Sequence, residues 1–243
     1  MKNEKFWILE SPRKRTAMWD KGNLWRKSDY LDCPKSTGRE SFLTFGGPAN
    51  RIGELRVVLH GRTASDFVWT IPDCLVHDRA LELLLREGLT GFETRRARVR
   101  WESNRGSVDA DAENDWLSSK SLDYHELLVT GWGGLAAERS GVRRISNTNI
   151  WEGFPDWTRI LASDQWDGSD FFIIWPFGFT RLVSDRAATL IRKANLSGVR
   201  LVTPEDYTRI HMSQKPGRIT PMRLRDHFPD ERARAIGEPL GIY

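Results

Sequence analysis

The feature that most restricts the fold of this chain is a phrase that occurs twice. The stretch VHDRALELLLREGLTGF, which begins at Val76, aligns without gaps on VSDRAATLIRKANLSGV, which begins at Val183, at an offset of 107 residues. The identical pairs are Val76/Val183, Asp78/Asp185, Arg79/Arg186, Ala80/Ala187, Leu83/Leu190, Leu89/Leu196 and Gly91/Gly198. Gly88 aligns with Asn195, and both residue types readily adopt the left-handed conformation that ends a helix. Two amphipathic helices can agree this far by chance, but the match in backbone chemistry favours one strand–helix–strand unit used twice.

A strand is predicted before each copy of the phrase. The pair Asp66-Phe67 precedes the first copy, and Asp170-Phe171 precedes the second. Asp170–Trp175 is a short apolar run after an acidic turn that contains glycine, which is typical of a buried strand. The repeat segments are therefore taken as residues 66–100 and 170–204.

A helix and a second strand follow in each repeat segment. Apolar residues at helical spacing predict helices over Asp78–Glu87 and Ser184–Ala194, and Ser184 or Asp185 can cap the second helix. His77 holds the position of Ser184 in the first copy, so capping is its simplest role. The returning strands are predicted at Phe92–Trp101 and Leu196–Val202.

The rest of the chain predicts one α+β domain with an appended tail. With 243 residues and 39% hydrophobic content, the chain can bury a real core. We expect residues 1–212 to form one domain, in which two related strand–helix–strand halves pack together. Residues 213–243 are rich in proline and arginine and should wrap the surface or stay partly mobile. The other predicted strands are Phe6–Leu9, Phe42–Gly47, Glu54–His60 and Tyr124–Gly134, the last of which ends in a glycine-rich turn.

Composition points to a cytoplasmic protein without a membrane segment. The chain has no apolar run of 18 residues, and its first residues contain no apolar signal-peptide core. Only Cys33 and Cys74 occur, too few for a disulfide framework or a four-cysteine zinc site. A reducing cytosol is the simplest expected location.

No catalytic motif is evident, so we do not expect an enzyme. The histidines are scattered, and the sequence motifs of common hydrolases and metalloproteases do not occur. A metal-dependent enzyme that uses Asp164, Asp167 and Asp170 is a less favoured alternative. A tight turn in which these aspartates cap backbone N–H groups is the simpler interpretation.

An acidic stretch is the candidate surface for a protein partner. Its residues are Asp109, Asp111, Glu113, Asp115 and Trp116. A basic partner could bind these carboxylates, with the tryptophan as an apolar anchor. A mobile acidic loop without a partner is the alternative.

An arginine strip is the candidate surface for nucleic acid. It comprises Arg95, Arg96, Arg98 and Arg100, and a strand would place the last three on one face. A solvated sheet edge that charge protects from aggregation is the more ordinary interpretation. The net charge of +4 is compatible with nucleic-acid binding but does not by itself indicate it, so we do not expect nucleic acid as the partner.

The order of several motifs resembles one protein family. The motifs are LDCPKSTG from Leu31, TGWGG from Thr130, SGV from Ser140, WDGSDFFIIWP from Trp166 and VSDRAATLIRKANLSGVRLV from Val183. Together they look like the bacterial double-CXXCG motif proteins, which are related to the immunity proteins of polymorphic toxin systems. The resemblance covers about Leu31–Pro204 and is strongest over Leu122–Val202.

The resemblance implies an immunity protein that binds and neutralises a toxin domain made by the same cell. In that family two Cys-x-x-Cys-Gly knuckles imply bound zinc. Here the first knuckle keeps only Cys33, and the expected second one, around Ser146–Asn149, has no cysteine. We therefore expect neither zinc nor another cofactor.

Overall fold

The computed structural model describes residues 5–12, 17–19, 24–25, 51–60, 63–70, 73–101, 122–145, 151–178, 180–212, 217–219 and 224–240. Within these ranges the strands are β1 (Phe6–Glu10), β2 (Ala17–Trp19), β3 (Leu24–Trp25), β4 (Arg51–Ile52), β5 (Leu55–Leu59), β6 (Phe67–Trp69), β7 (Cys74–His77), β8 (Phe92–Trp101), β9 (Leu122–Val129), β10 (Gly131–Leu135), β11 (Val142–Arg144), β12 (Trp151–Gly153), β13 (Leu161–Ala162), β14 (Phe171–Ile174), β15 (Arg181–Ser184), β16 (Arg200–Val202) and β17 (Gly217–Ile219). The helices are α1 (Asp78–Arg86), α2 (Ala137–Ser140), α3 (Asp185–Lys193), α4 (Pro204–Met212), α5 (Leu224–His227) and α6 (Asp230–Leu240).

Two mixed sheets organise this α+β fold, which confirms the predicted fold class. The first sheet has the strand order β13-β10-β14-β15-β1-β16, and the second has the order β2-β5-β8-β9-β7-β6. Each contains one parallel pair, β10 with β14 and β5 with β8, among antiparallel neighbours. Smaller sheets pair β11, β12 and β17, and β3 with β4.

Both repeat segments enter their sheets in the same way. The strand orders β6-β7-β9-β8 and β14-β15-β1-β16 correspond to each other position by position. In each case a strand from outside the repeat segment lies between the strand before the helix and the strand after it. β9 is antiparallel to β7 and β8, and β1 is antiparallel to β15 and β16.

The two repeat helices begin and end at the predicted signals. The His77 side chain accepts a hydrogen bond from the backbone N–H of Arg79 and caps α1, and Ser184 Oγ accepts one from Ala187 N–H and caps α3. Gly88 and Asn195 follow the helices with φ angles of 64° and 49°. These left-handed residues let the next N–H groups, those of Leu89 and Leu196, bond back to carbonyls of the last helical turn.

Three apolar clusters fill the space around the sheets. The largest lies against α1 and α3 and takes side chains from both sheets, including Phe67, Val76, Phe171 and Val183. The opposite face of the first sheet packs against Trp157 and Tyr207, and the opposite face of the second sheet forms a cluster around Tyr124. Both faces of each sheet are therefore apolar over much of their area.

Two strand predictions need correction. β8 is not a sheet edge, because it pairs with β5 on one side and with β9 on the other. The glycine-rich part of the predicted strand Tyr124–Gly134 is not a turn but strand β10. It pairs with β14 because its glycines allow a very close approach: a Cβ at Gly131 would lie 2.1 Å from Phe171 O.

Within the proline- and arginine-rich segment 213–243, the described residues 217–219 and 224–240 contain regular structure. β17 pairs with β12, and two helices, α5 and α6, follow it. Leu224, Phe228 and Ala233 are buried in the largest apolar cluster. In the part of the chain that the structure describes, no helix combines the length and apolarity needed to cross a membrane.

Candidate functional site

A buried carboxylate connects the start of the first repeat segment to the end of the second. Asp66 precedes β6 and is 5% exposed. It accepts hydrogen bonds from Ser197 N–H at 2.8 Å, from Ser197 Oγ–H at 2.7 Å and from Arg79 Nε–H at 2.9 Å. Beside these contacts, Phe67 N–H donates to Ser197 O at 3.0 Å. We call Asp66, Arg79 and Ser197 the first aspartate cluster.

An equivalent carboxylate connects the start of the second repeat segment to the end of the first. Asp170 precedes β14 and is 4% exposed. It accepts hydrogen bonds from Thr90 N–H at 3.0 Å and from Arg186 Nη1–H at 3.1 Å, and the Ser184 hydroxyl donates to its other oxygen at 2.7 Å. Phe171 N–H donates to Thr90 O at 3.0 Å. We call Asp170, Arg186, Thr90 and Ser184 the second aspartate cluster.

The clusters correspond contact by contact. In each, an aspartate binds an arginine of the helix in its own segment and the backbone N–H of a hydroxyl residue in the other segment. The second cluster has two additional elements. The Ser184 hydroxyl donates to Asp170, where the first segment has His77, and Arg186 Nη2–H donates to the carbonyls of Glu87 and Gly88 at the end of α1. Four last-turn carbonyls of a helix lack partners within it, so this guanidinium stabilises the end of α1.

A glycine follows the hydroxyl residue in both clusters, and it permits the close approach of the segments. Gly91 and Gly198 have φ angles of 84° and 77°. A Cβ at Gly91 would lie 2.0 Å from Phe171 O, and one at Gly198 would lie 2.0 Å from Phe67 O. Only glycine fits these positions without moving the neighbouring strand.

Electrostatics keep the first cluster ionised. Burial by itself acts to raise the pKa of Asp66, but the hydrogen bonds from Ser197 and Arg79 outweigh it, and the pKa lies below its usual value of 3.8. The Tyr124 hydroxyl donates a hydrogen bond to Ser65 O at 2.6 Å, next to the Asp66 carboxylate. Burial and the charge of Asp66 raise the pKa of Tyr124 to about 12. Near neutral pH the Asp66 carboxyl is therefore ionised and the Tyr124 hydroxyl is protonated, so neither group is suited to transfer a proton.

Asp167, in the turn before β14, also accepts hydrogen bonds from backbone N–H groups. Asp167 accepts hydrogen bonds from Ser169 N–H at 3.0 Å and Trp132 N–H at 2.9 Å, and it pairs with Arg232 at 2.6 Å. Its own N–H donates to Trp132 O. The interpretation as a turn in which aspartates cap N–H groups is confirmed for Asp167. Asp164 is exposed, and no group of three metal-ligating side chains occurs among the described residues.

Cys74 is the one cysteine within the described ranges, and it is not placed for nucleophilic chemistry. It is fully buried in β7. Burial raises the pKa of its thiol to about 12, so the reactive thiolate is scarce at neutral pH. Cys33, and the region around Ser146–Asn149 where the second zinc knuckle is expected, lie outside the described residues.

The arginine strip lies on a sheet face rather than at an edge. The register confirms that Arg96, Arg98 and Arg100 alternate with the buried residues of β8. Arg56 of β5 stands beside Arg98 and adds a fourth arginine to this face. Asp123 of β9 stands on the other side of Arg98, so the face carries charges of both signs. Arg95 points to the opposite face with Ala97 and Val99.

The acidic candidates Asp109, Asp111, Glu113, Asp115 and Trp116 all lie outside the described residues. The two strands that bound this stretch are well placed, however. β8 ends at Trp101 and β9 begins at Leu122, and the two are adjacent antiparallel strands in the interior of the second sheet. The nearest described residues on either side, Trp101 and Leu122, therefore belong to neighbouring strands.

Sequence reasoning missed the two aspartate clusters. It singled out the Asp-Phe pairs and the aligned glycines but not the contacts between them. A signal was present: the three residues Ser65, Asp66 and Phe67 recur as Ser169, Asp170 and Phe171, and a hydroxyl residue precedes each aligned glycine. Nothing local showed that these two features meet, because the partners are separated by 131 and 80 residues.

A comparison of the chain with protein-family models gave no match, and neither did a comparison with curated protein sequences.

Proposed function

We propose that this protein is an immunity protein, which binds a toxin domain made by the same cell and neutralises it without chemistry of its own. The proposal rests on the resemblance in motif order and on one structural observation: two aspartates of the motif WDGSDFFIIWP hold the fold together. Asp167 and Asp170 each accept several hydrogen bonds from backbone and side-chain donors. An inhibitor benefits from a rigid fold, because ordering a flexible contact surface on binding would reduce its affinity.

The acidic stretch supports the choice of contact surface. Asp109, Asp111, Glu113 and Asp115 concentrate negative charge on a chain that is basic overall, with a net charge of +4. Many toxin domains act on nucleic acid and are basic, and opposite charges accelerate and stabilise their association with an inhibitor. Trp116 adds the aromatic side chain that often dominates binding energy at interfaces. The connection between β8 and β9 thus combines the chemistry of an interface with attachment to a sheet interior.

The test is growth rescue combined with a binding measurement. The toxin-like gene beside that of this protein would be expressed in a bacterial host, alone and together with the full chain. We expect relief of growth arrest and a stable complex. Growth arrest that the full chain does not relieve, together with failure of the two purified proteins to bind, would contradict the proposed function.

Variants then test the contact surface separately from the function. Replacing Asp111→Asn and Asp115→Asn together should weaken binding at least tenfold, and Trp116→Ala should do so as well, because truncated interface tryptophans typically cost 2 kcal/mol or more, or about thirtyfold. Asp164→Asn is the matched control, since Asp164 is exposed in a different turn. Equal binding by all of these variants would exclude the acidic stretch and leave the immunity function to another surface.

Nucleic-acid binding is the second candidate function, and the position of Arg56 favours it. Four arginines then share one face of the second sheet, and arginine binds phosphates in bidentate fashion. Fluorescence anisotropy with single-stranded and duplex oligonucleotides at low salt would test it. Binding that weakens steeply with salt, and that is lost on Arg96→Ala with Arg98→Ala, would support this candidate. Absence of binding at 50 mM salt would remove it.

A further inference from the structure

The C-terminal helices pack against the rest of the fold through apolar and polar contacts. Residues 224–240, which we call the C-terminal strap, comprise α5 and α6. The side chains of Leu224, Phe228 and Ala233 are buried in the largest apolar cluster, and the Phe228 ring packs against Trp132 of β10 at a centroid distance of 6.2 Å. The apolar contact is supplemented by polar contacts, and His227 makes one of them.

His227 joins the strap to strand β9 through one ring nitrogen, while its other ring nitrogen is buried without a hydrogen-bond partner. Its Nε2 lies 3.1 Å from Val129 O, so the tautomer with a proton on Nε2 donates a hydrogen bond to that carbonyl. Its Nδ1 is buried, and no hydrogen-bond partner for it exists among the described residues. The ring also stands edge-on to Phe228 at 4.8 Å. A neutral imidazole tolerates a bare Nδ1, but a protonated one would bury a charge and an N–H donor without an acceptor.

Arg181 of β15 also opposes protonation of this ring, because it acts on the ring as a like charge. From α6, Arg232 reaches the carbonyl of Thr130, next to Val129, and pairs with Asp167. Asp230 pairs with Arg234. β9 and β10 contribute backbone carbonyls and apolar side chains here.

We infer that the C-terminal strap is an acid-sensitive element, and that protonation of His227 loosens its attachment to β9 and β10. Burial lowers the pKa of His227 from 6.5 to about 4; the hydrogen bond to Val129 O acts in the opposite direction but is outweighed, and Arg181 acts in the same direction as burial. Because the attached state has the lower pKa, the detached state binds the proton more readily between these values. The attachment is therefore strongest above pH 6.5 and weakens as the pH falls from there towards 4.

The consequence of loosening would be the exposure of an apolar surface. Trp132 is 7% exposed and Val129 is 3% exposed, and the buried side of the strap lies in the same cluster as both. Arg232 would leave Asp167 and the Thr130 carbonyl at the same time. The strap thus couples the titration of one histidine to the accessibility of the core at the end of β9. This inference is independent of the proposed toxin binding.

Hydrogen exchange of the full chain tests the inference. Protection of peptides from residues 224–240 would be measured from pH 7 to pH 4.5, corrected for intrinsic rates, and compared with peptides from α3. We expect protection of the strap to fall by roughly 50-fold over this range, since each unit of pKa difference corresponds to a tenfold change in the equilibrium. Protection of α3 should change much less. An equal loss in both regions would overturn the inference.

Two variants make the test specific to His227. His227→Gln keeps a donor that can reach Val129 O but cannot be protonated in this range, so protection of the strap should become independent of pH. His125→Gln is the matched control, because His125 is a partly exposed histidine that pairs with Asp78 at 2.8 Å; the pH dependence should persist in it. Persistence of the pH dependence in His227→Gln would refute the role of this histidine. If His227→Gln does not fold, the wild-type comparison of strap and α3 still decides between the outcomes.

Discussion

Glycine 91 offers the sharpest test of how the two repeat segments meet. Gly91→Ala introduces two separate problems. The φ angle of 84° is in the left-handed region, where an alanine costs about 1–2 kcal/mol. The new Cβ would also lie 2.0 Å from Phe171 O and 2.4 Å from Ser169 Cβ, so the backbone of β14 would have to move. Overpacking of this kind typically costs a further 1–3 kcal/mol.

Two other glycines separate these contributions. Gly168 has a φ angle of 80° and nothing within 4 Å of an added Cβ, so Gly168→Ala isolates the backbone cost. Gly131 has no positive φ angle, but its Cβ would lie 2.1 Å from the same Phe171 carbonyl, so Gly131→Ala isolates the steric cost. We expect a loss of about 1–2 kcal/mol for the first variant, about 1–3 kcal/mol for the second and about 2–5 kcal/mol for Gly91→Ala.

The measurement is equilibrium unfolding in urea, followed by circular dichroism, with the midpoint and slope fitted for each variant. Gly198→Ala, at the equivalent position of the other segment, should behave like Gly91→Ala, because its Cβ would lie 2.0 Å from Phe67 O. A free energy of unfolding for Gly91→Ala within about 0.5 kcal/mol of that for Gly168→Ala would refute the close approach of the segments.

Three further predictions concern Asp66, Cys74 and Arg192. Asp66→Asn should lower the free energy of unfolding by about 1–3 kcal/mol at pH 7, because buried donors lose a charged acceptor. Because the pKa of Asp66 is lowered in the folded state, the stabilisation by its carboxylate is present above pH 3.8 and is lost as the pH falls below that value. The stabilities of variant and wild type should therefore converge in acid. In a Cys33→Ser background, Cys74 should react with a thiol reagent at pH 8 only at the rate of unfolding, because burial raises its pKa to about 12; reaction within seconds under native conditions would contradict its burial. Arg192→Ala should cost about 0.5–1 kcal/mol, because the guanidinium lies 3.7 Å from the ring centroid of Trp7, whereas Lys193→Ala, its exposed neighbour, should cost less than 0.5 kcal/mol in the same urea experiment.

Much of the local structure follows from the sequence because its causes are local. The caps at His77 and Ser184, and the left-handed stops at Gly88 and Asn195, act within one turn of the chain. The helices therefore begin and end within a residue of their predicted limits. β8 matches its predicted range, Phe92–Trp101.

The arrangement of these elements depends on contacts that only the folded chain contains. The insertion of β1 between β15 and β16, and of β9 between β7 and β8, pairs backbone groups from distant parts of the sequence. The glycine-rich residues 131–134 look like a turn in the sequence, yet Gly131 and Gly133 lie in a strand because β14 packs closely against them. The apolar residues of the C-terminal strap lack helical regularity in the sequence, but the largest cluster offers them a place to be buried.

For the candidate functional residues, too, some properties follow from the sequence and others only from the folded structure. The sequence by itself determined which residues carry the charge, the acids from Asp109 to Asp115 and the arginines of β8, since composition and spacing are visible in one dimension. It also determined that Asp66 and Asp170 occupy equivalent places. Only the tertiary structure decided what these two aspartates do: each is buried against donors of the other repeat segment, and a buried carboxylate is tolerated where several donors converge on it. That convergence requires the chain to be folded, because the donors from the other segment, Ser197 and Thr90, are 131 and 80 positions away.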